Sequence, residues 1–567
     1  MKFSEICGVY EKLSVTSGRL EKTSIVSEFI KKIAKHGNPE WIYLLRGRVL
    51  PDYDVREFGI SRQIIIKTLS KSFGVLSSEV LSEFNKIGDL GEIAEKFAGK
   101  RKQSTLFSSS SLSIDKVFDG LMKIFALEGK GSVDKKVSVV SEILSSASGI
   151  EAKYIVRTLL GDLRVGIAES TIKDAIAESL FPEDKKSYAE LIESAYDLSN
   201  DYAEIFAAAV KGKKEIEKIS ISPGKPMNVM LAVKAEDIED AFRICGKPAA
   251  IENKYDGFRV VISKKNKEIK LFTRKLEEVT SQFPDIIEVV KKNISGESFI
   301  LDSEAVGYDP KTKKVKPFES VSQRIKRKHH IERLVKELPV DVHIFDVMYY
   351  NGKSVMHLPF SERRKIIEKI IHPEKLKINI AEQIITDNEK RAEEFYKQAL
   401  KKGEEGIMVK SLSSPYKPGR RVGHMVKLKP SSSEFDLVIT GAEHGTGKRA
   451  GWLTSYIVAC ASEKGFLNIG KVSSGLKEKE SEGTTYREMT KLLKPLIKSE
   501  KGRVVYVKPK IVVSVTYQNI QKSPSYNSGY ALRFPRITFY RPERSTKDIA
   551  TLEDVKKAVV CTSFHSL

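Results

Sequence analysis

The sequence predicts a multidomain protein with an all-α domain at its N-terminus, an α+β domain in its middle and a small β-barrel at its C-terminus. The 567 residues exceed one ordinary domain, since domains average roughly 150 residues. Hydrophobic periodicity is helical over about the first 220 residues, then alternates between helix and strand, and is strand-like in the last part of the chain. Stretches rich in Pro, Gly and Ser separate these three regions.

Two breaks in the pattern set the expected boundaries. Pro and Gly interrupt the helical pattern at 219–226, and Lys-Pro-Ser-Ser-Ser at 429–433 resembles a hinge. The predicted domains are therefore 1–220, 221–430 and 431–567.

Within these domains, apolar residues at helical spacing predict a helix over 114–125, ended by the Gly-containing loop 128–132. The other expected elements are strands at 299–301, 342–345, 435–440 and 504–517 and a helix at 361–371.

Composition narrows the functional class. Lys and Arg total 97 against 75 Asp and Glu, a net charge of +22, which predicts a polyanionic partner but leaves DNA, RNA, ribosomes and anionic lipid open. The hydrophobic fraction of 41% supports packed cores rather than disorder. We expect no transmembrane helix and no export, and hence an intracellular protein, cytoplasmic if prokaryotic. A monomer without a membrane partner is a separate expectation. The four cysteines are widely spaced, so neither a disulfide framework nor a zinc site is expected.

The strongest local signal is Lys254-Tyr-Asp-Gly-Phe-Arg259, directly after the apolar run 249–251. It can present an amine, a carboxylate and a guanidinium to one phosphate-containing ligand. A lysine amine is a good nucleophile only when neutral, so nearby cations or a metal must lower its ordinary pKa of about 10.4. The alternative is a plain surface turn, because Asp-Gly is a common turn pair.

Further carboxylates and lysines supply what an amine attacking a nucleotide phosphate needs. Asp302 and Glu304 are two apart and share one face of a strand. Glu405 adds another oxygen ligand suited to Mg²⁺, and the alternating Lys427 and Lys429 can hold phosphate charge. For each residue alone, a solvated strand face remains the alternative.

Taken in order, these segments resemble the nucleotidyltransferase motifs of ATP-dependent DNA ligases of the archaeal and eukaryotic replicative type. The matching segments are 254–259, 273–274, 302–304, 345–346, 405–410 and 427–429, with 151–154, 160–166, 523–524 and 531–536 outside that domain. The resemblance implies a helical DNA-binding domain, an adenylation (nucleotidyltransferase) domain and a C-terminal OB-fold β-barrel.

The implied activity is the sealing of nicks in duplex DNA, in replication, repair and recombination. The enzyme would use ATP and Mg²⁺, with Mn²⁺ as an alternative metal, and pass through lysyl-AMP at Lys254 and a DNA-adenylate. An RNA ligase or an mRNA-capping guanylyltransferase is the alternative. A non-catalytic DNA-binding scaffold is disfavoured because Lys254, Glu304, Glu405 and Lys427 are all present.

The resemblance also implies roles for individual residues. Glu252 would read the adenine edge and Phe345 would stack on the base. The remaining expected contacts are ribose at Arg259 and Glu304, phosphate at Arg274, Arg421, Lys427 and Lys429, pyrophosphate at Arg533 and Arg536, and the metal at Glu304 and Glu405.

Two further segments are candidates for macromolecular partners. Lys153, Arg157 and Arg164 lie near small residues that let backbone N–H groups approach DNA phosphates, although solvated cations on an amphipathic helix are the alternative. The segment Gln103 to Phe107 resembles a short sliding-clamp-binding peptide, or is a polar loop ending in two apolar residues.

Overall fold

The computed structural model describes residues 1–36, 38–54, 56–100, 112–129, 131–316, 318–327, 330–430, 433–445, 449, 451–463, 465–478 and 484–564. The predicted clamp-binding segment, Gln103 to Phe107, lies outside them. The chain forms two compact units. Unit 1 contains Met1–Val233, Asp256–Ala381 and Lys410–Met425, and unit 2 contains Lys234–Tyr255, Glu382–Val409 and Val426–Leu567.

The α-helices are α1 (Phe3–Val15), α2 (Arg19–His36), α3 (Arg62–Phe73), α4 (Ser77–Ile87), α5 (Leu90–Gly99), α6 (Ile114–Phe125), α7 (Ser132–Ser146), α8 (Gly149–Leu159), α9 (Glu169–Leu180), α10 (Lys185–Ser199), α11 (Tyr202–Lys211), α12 (Lys213–Glu217), α13 (Ile238–Cys245), α14 (Pro284–Asn293), α15 (Phe318–Lys326), α16 (Ile331–Glu337), α17 (Phe360–Ile370), α18 (Glu389–Lys401), α19 (Tyr486–Leu493) and α20 (Leu552–Phe564).

The strands are β1 (Val233–Lys234), β2 (Ala249–Lys254), β3 (Phe258–Lys265), β4 (Glu268–Thr273), β5 (Ser298–Gly307), β6 (Val340–Tyr350), β7 (Lys353–Ser354), β8 (Ile378–Ile380), β9 (Gln383–Thr386), β10 (Gly406–Ser411), β11 (Met425–Leu428), β12 (Ser433–His444), β13 (Leu453–Ser462), β14 (Gly465–Val472), β15 (Ile497–Lys501), β16 (Val504–Val507), β17 (Val512–Tyr517), β18 (Asn519–Lys522), β19 (Tyr530–Arg533) and β20 (Arg536–Tyr540).

The N-terminal part of unit 1 is helical, as predicted, with α1 to α12 sharing one apolar core. The helix expected at 114–125 is α6. Its apolar side chains at helical spacing are buried, and Ser113 caps its start by accepting the N–H of Lys116. The following loop contains Gly129 and Gly131, both at positive φ. Across the described residues, no helix combines the length and apolarity needed to cross a membrane.

The rest of unit 1 is built on a six-stranded sheet in the order β4-β3-β5-β6-β7, with β8 beside β6. The strands pair antiparallel except β6 with β8, and α14 and α17 pack into the same apolar core. The predicted strands at 299–301 and 342–345 lie in β5 and β6, and the predicted helix at 361–371 is α17. These three predictions are confirmed.

Unit 2 begins with a five-stranded sheet in the order β1-β11-β10-β2-β9. Lys254 ends β2, Glu405 immediately precedes β10, and Lys429 immediately follows β11. Because β10 lies between β11 and β2, the sheet order brings these three residues together.

The C-terminal part of unit 2 is β-rich, with strand order β14-β13-β12-β16-β15 and with β17 joining β12 to β20. Pairing among the described residues forms a half-barrel and does not close, so the predicted closed barrel is not seen. The prediction of one continuous strand over 504–517 is also wrong. It divides into β16 and β17 at a segment containing Pro509, which lacks the N–H that a sheet ladder needs.

One loop of unit 1, between β10 and β11, contacts the helical part of the same unit. The Arg420 guanidinium lies 3.5 Å from the carboxylate of Asp197 and 3.6 Å from that of Glu193, both on α10. Burial raises the pKa of Asp197 to about 6, although the charge of Arg420 acts in the opposite direction.

We therefore expect Asp197→Asn to change the pH dependence of stability. The folded state holds the Asp197 proton to higher pH than the unfolded chain, so this group's contribution is largest below about pH 4 and is lost as pH rises through about 6. The thermal midpoint of the variant, relative to that of the unchanged chain, should rise as pH increases from about 4 to about 7.5. Asp119→Asn, at an exposed position of α6, is the control. A midpoint difference that is flat with pH would contradict the assignment.

Candidate functional site

Lys254 lies in a compact charge cluster of unit 2. Its Nζ is 2.7 Å from Oε2 of Glu405, and Nζ of Lys429 is 2.5 Å from the same oxygen. The backbone N–H of Glu405 also donates to the Lys254 carbonyl at 2.9 Å. Burial raises the pKa of Glu405, but the charges of Lys254 and Lys429 outweigh it, so the net shift is downward. The cluster therefore holds an ionised carboxylate between two ammonium groups.

A glycine next to this cluster allows the strands to approach each other. Gly406 has φ of +143°, and a Cβ added there would lie 2.2 Å from the carbonyl oxygen of Leu428. Both the backbone conformation and the lack of space require glycine. Gly406 thus fixes the start of β10 and, with it, the position of Glu405.

Glu252, the predicted reader of adenine, is buried on β2. Its Oε1 accepts a hydrogen bond from Nε2 of Gln383 at 2.8 Å. The cross-strand pairing of β2 with β9 places the two residues opposite each other. Gln383 therefore orients the carboxylate, a role that the sequence analysis did not assign.

In unit 1, Arg259 forms a buried ion pair with Asp302. Nε and Nη2 of Arg259 lie 2.8 and 2.5 Å from the two carboxylate oxygens, and Nη1 donates to the Met230 carbonyl at 2.8 Å. Asp302 has no exposed surface. Their spacing predicts that Asp302 and Glu304 share one face of a strand. Arg259 on β3 is paired in register with Glu304 on β5 and bonds Asp302, so both residues are neighbours of Arg259.

Phe345, the predicted stacking residue, is half-buried on β6. Two cations lie near its ring, Lys410 Nζ at 4.7 Å and Arg259 at 5.5 Å from the ring centre. Lys410 also donates to the Phe345 carbonyl at 3.2 Å. Because a cation on an aromatic face is attractive, these contacts fix the ring.

The next residue on β6, Asp346, accepts hydrogen bonds from Nε and Nη2 of Arg363 at 2.7 and 3.0 Å. Arg363 is buried on α17 together with Phe360 and Ile367. A signal for this pair was present in the sequence, since an arginine on the apolar face of a helix requires a buried partner.

The remaining predicted nucleotide contacts differ in exposure. Arg274, Arg421 and Arg536 are exposed, Glu304 and Lys427 are half-buried, and Arg533 is buried with its guanidinium 5.0 Å from the Phe534 ring centre. Their roles stay predictions.

The three predicted DNA-binding residues lie in an ion-pair network of the helical region. Arg157 is buried and 2.6 Å from Asp89, and Lys153 lies 2.8 Å from Glu11 and 3.3 Å from Glu95. Arg164 is half-exposed and lies 3.0 Å from Asp89. All three cations are thus paired with carboxylates of the domain, Arg164 also with Asp162 at 2.8 Å, and Arg164 is the most accessible of the three.

Three family sequence models and several long relatives match this chain, and all of them describe DNA ligases. Family sequence models match at residues 2–177 (DNA ligase N terminus), 229–429 (ATP dependent DNA ligase domain) and 449–544 (ATP dependent DNA ligase C terminal region). A DNA ligase of Nanoarchaeum equitans is 43% identical over 562 residues, and one of Thermococcus fumicolans is 39% identical over 560 residues. In both cases 98% of this chain and 98% of the relative are covered.

A solved structure titled Pmar-Lig_Pre. matches with a TM-score of 0.56 and 18% identity, covering 94% of this chain and 99% of that chain. At this identity the likeness describes the fold alone. It supports the three-part order of a helical region, a central α+β region and a β-rich C-terminal region.

We expect Gly406→Ala to lower the free energy of unfolding by about 1–3 kcal/mol, because the added Cβ meets a backbone carbonyl in a strained conformation. Urea titration of the full chain measures this loss. Gly403→Ala is the matched control, since Gly403 also has positive φ but open space around its Cβ position. Equal losses in the two variants would show that the contact with Leu428 does not matter.

Proposed function

Because the chain belongs to the family of ATP-dependent DNA ligases, we propose that it seals nicks in duplex DNA in three steps. Lys254 Nζ forms a bond to the α-phosphorus of ATP as the bond to pyrophosphate breaks. The AMP then passes from Lys254 to the 5′-phosphate of the nick. Finally the 3′-hydroxyl attacks that phosphate, AMP leaves, and the strand is joined. The energy of ATP is thereby kept in an activated phosphate.

The single observation that carries this proposal is the environment of Lys254. Its ammonium group is paired with Glu405 at 2.7 Å, and only the neutral amine is a nucleophile. The pair must therefore open and Nζ must lose a proton before attack. Lys429, 2.5 Å from the same carboxylate, keeps Glu405 neutralised when Lys254 leaves it, which lowers the cost of separating the pair.

The nucleotide contacts follow the family's pattern. Glu252, oriented by Gln383, accepts from the adenine edge, and Phe345 stacks on the base. Arg259 and Glu304 hold the ribose, while Arg274, Arg421, Lys427 and Lys429 contact phosphate. Arg533 and Arg536 orient the pyrophosphate during the first step. Positive charge around the transferred phosphoryl group is the main catalytic contribution.

Mg²⁺, or Mn²⁺ in its place, is the proposed metal, with Glu304 and Glu405 as the ligands that the family's pattern implies. The described residues contain no group of three or more His, Cys, Asp or Glu side chains that could hold a metal, and Mg²⁺ ordinarily needs only one or two carboxylates, with phosphates and water as its other ligands. The lowered pKa of Glu405 keeps that ligand ionised. When bound, the ion supplies positive charge against the phosphates.

Nicked duplex DNA is the proposed macromolecular partner, held in part by Arg164 of the helical domain. Lys153 and Arg157 are much less exposed than Arg164, so they contribute less than Arg164 to contact with DNA phosphates. The C-terminal region acts as an OB-fold domain. The clamp-binding role of Gln103 to Phe107 and the monomeric state stay proposals, and Leu106→Ala with Phe107→Ala should abolish binding to a cognate clamp if that role is correct.

The alternative, an RNA ligase or an mRNA-capping guanylyltransferase, is not favoured, because full-length relatives at 39–43% identity are named DNA ligases and a DNA ligase N-terminal match covers residues 2–177. The two kinds of enzyme are also separated by substrate. A DNA ligase seals a nicked DNA duplex with ATP, whereas a capping enzyme forms its lysyl adduct from GTP.

Lys254→Arg should abolish the protein–AMP adduct and lower nick sealing by roughly 10³-fold or more. Arginine keeps the positive charge opposite Glu405 but remains protonated, so stability should change little. Labelled ATP, Mg²⁺ and a nicked duplex provide both measurements in one incubation. Lys247→Arg is the control, because Lys247 precedes the same strand and its charge is paired with exposed Glu389. A labelled adduct in Lys254→Arg would contradict the proposal.

Arg164→Gln should weaken binding to nicked DNA and reduce the slope of log affinity against log salt by about 1. The exposed position of Arg164 predicts only a small change in thermal midpoint. Arg157→Gln is the informative comparison, because it leaves buried Asp89 short of a partner and should mainly lower the midpoint. The assignment fails if the salt slope of Arg164→Gln equals that of the unchanged chain.

A further inference from the structure

A buried hydroxyl group joins three segments of unit 1 next to Arg259. The Tyr416 Oη donates to Oδ2 of Asp302 at 2.7 Å and accepts the backbone N–H of Met230 at 2.9 Å. Only 3% of Tyr416 is exposed, and Asp302 is completely buried. The same Asp302 carboxylate receives both hydrogen bonds from Arg259. We call this set, Tyr416 with Asp302, Arg259 and Met230, the Tyr416 cluster.

Two of the segments that meet here have no regular secondary structure, while Asp302 lies on β5. Met230 lies in the connection between α12 and β1, and Tyr416 lies in the loop between β10 and β11. Backbone bonds tie the two together, from Leu231 N–H to the Arg420 carbonyl at 3.1 Å and from Gly419 N–H to the Val229 carbonyl at 3.2 Å. The geometry of the Tyr416 cluster therefore depends on how the connection leaving the helical region packs on this loop.

The other side of the loop is also fixed. The Tyr416 N–H donates to the Met356 carbonyl at 2.8 Å, and Arg363 donates to the Ser414 carbonyl at 3.1 Å. The hydroxyl of Tyr416 is thus held at a defined position by its own backbone. A group fixed in this way can position its hydrogen-bond partners, rather than only follow them.

The protonation state of the Tyr416 hydroxyl suits this role. Burial, followed by the nearby Asp302 carboxylate, raises the pKa of Tyr416 far above its ordinary value, so the hydroxyl keeps its proton and remains a donor. Asp302 accepts from Tyr416 and from two nitrogens of Arg259, and a third Arg259 nitrogen donates to the Met230 carbonyl. Nη2 of Arg259 also donates to the Tyr416 Oη at 3.3 Å, so Tyr416 contacts the guanidinium and both of its other partners.

We propose that Tyr416 is a positioning residue for the adenylation chemistry, which fixes Asp302 and the Met230 backbone and together with them orients the Arg259 guanidinium. This rests on the proposed function, in which Arg259 contacts the nucleotide. The bidentate pair alone permits rotation of the carboxylate and guanidinium as one body, and the Tyr416 hydroxyl removes that freedom. A misplacement of a positioned group by about 1 Å costs up to about 10²-fold in rate.

The test uses the full chain with Tyr416→Phe, which removes the hydroxyl and keeps the ring. The measurement is the single-turnover rate of protein–AMP formation from labelled ATP, run well below the thermal midpoint of every variant. We expect a rate about tenfold lower. Tyr10→Phe is the matched control, because the Tyr10 hydroxyl is also buried and donates to the Leu44 carbonyl at 2.5 Å. It should lower the midpoint comparably and leave the rate within about twofold.

A double-mutant cycle separates positioning from general stability. If Tyr416 acts through Arg259, adding Tyr416→Phe to Arg259→Lys should slow the reaction by no more than about twofold beyond Arg259→Lys alone. Asp302→Asn gives a second cycle with Tyr416→Phe and should be non-additive in the same way. Multiplicative effects in either cycle, or a Tyr416→Phe rate equal to that of Tyr10→Phe, would overturn the inference. Absence of any adduct in the unchanged chain would overturn both this inference and the proposed function.

Discussion

Glu405 places one carboxylate against two ammonium groups, those of Lys254 and Lys429, and the local arrangement of three neighbouring strands depends on this pairing. Without Glu405, two half-buried lysines would face each other across the sheet with uncompensated charge. The close approach that this pairing needs is allowed by Gly406, whose missing side chain leaves space beside Leu428. A single carboxylate thus connects the packing of the sheet to the position of the proposed nucleophile.

Charged residues in the interior of unit 1 are likewise paired with residues of opposite charge. Arg259 is paired with Asp302, and Arg363 with Asp346, each through two hydrogen bonds. Planar guanidinium groups held in this way are oriented as well as neutralised. The interior of this part of unit 1 therefore holds its charges in pairs at fixed angles.

Much of this organisation could be predicted from the sequence. Short runs of apolar and β-branched residues identified β5 and β6, and the helical pattern identified α6 and α17, because these signals are set by local geometry. The motif around Lys254 was also visible, since its residues are consecutive. Comparison with known proteins then confirmed the family through relatives that cover 98% of the chain.

Other features depended on contacts between distant parts of the chain. Nothing near Arg157 in the sequence indicates that Asp89 neutralises it, and Tyr416 lies 114 residues from Asp302. The strand predicted over 504–517 ignored Pro509, although its missing N–H could have divided the segment. Local patterns thus located the elements and the nucleophile, while the partners that fix each charge required the fold.

The central claim is that Lys254 carries the AMP group, and locating the adduct in the protein tests it most directly. After incubation of the full chain with ATP and Mg²⁺, mass spectrometry of its peptides should find AMP on Lys254 through a bond that acid breaks. AMP on another lysine, such as Lys410 or Lys427, or sealed DNA formed without any adduct, would contradict the account.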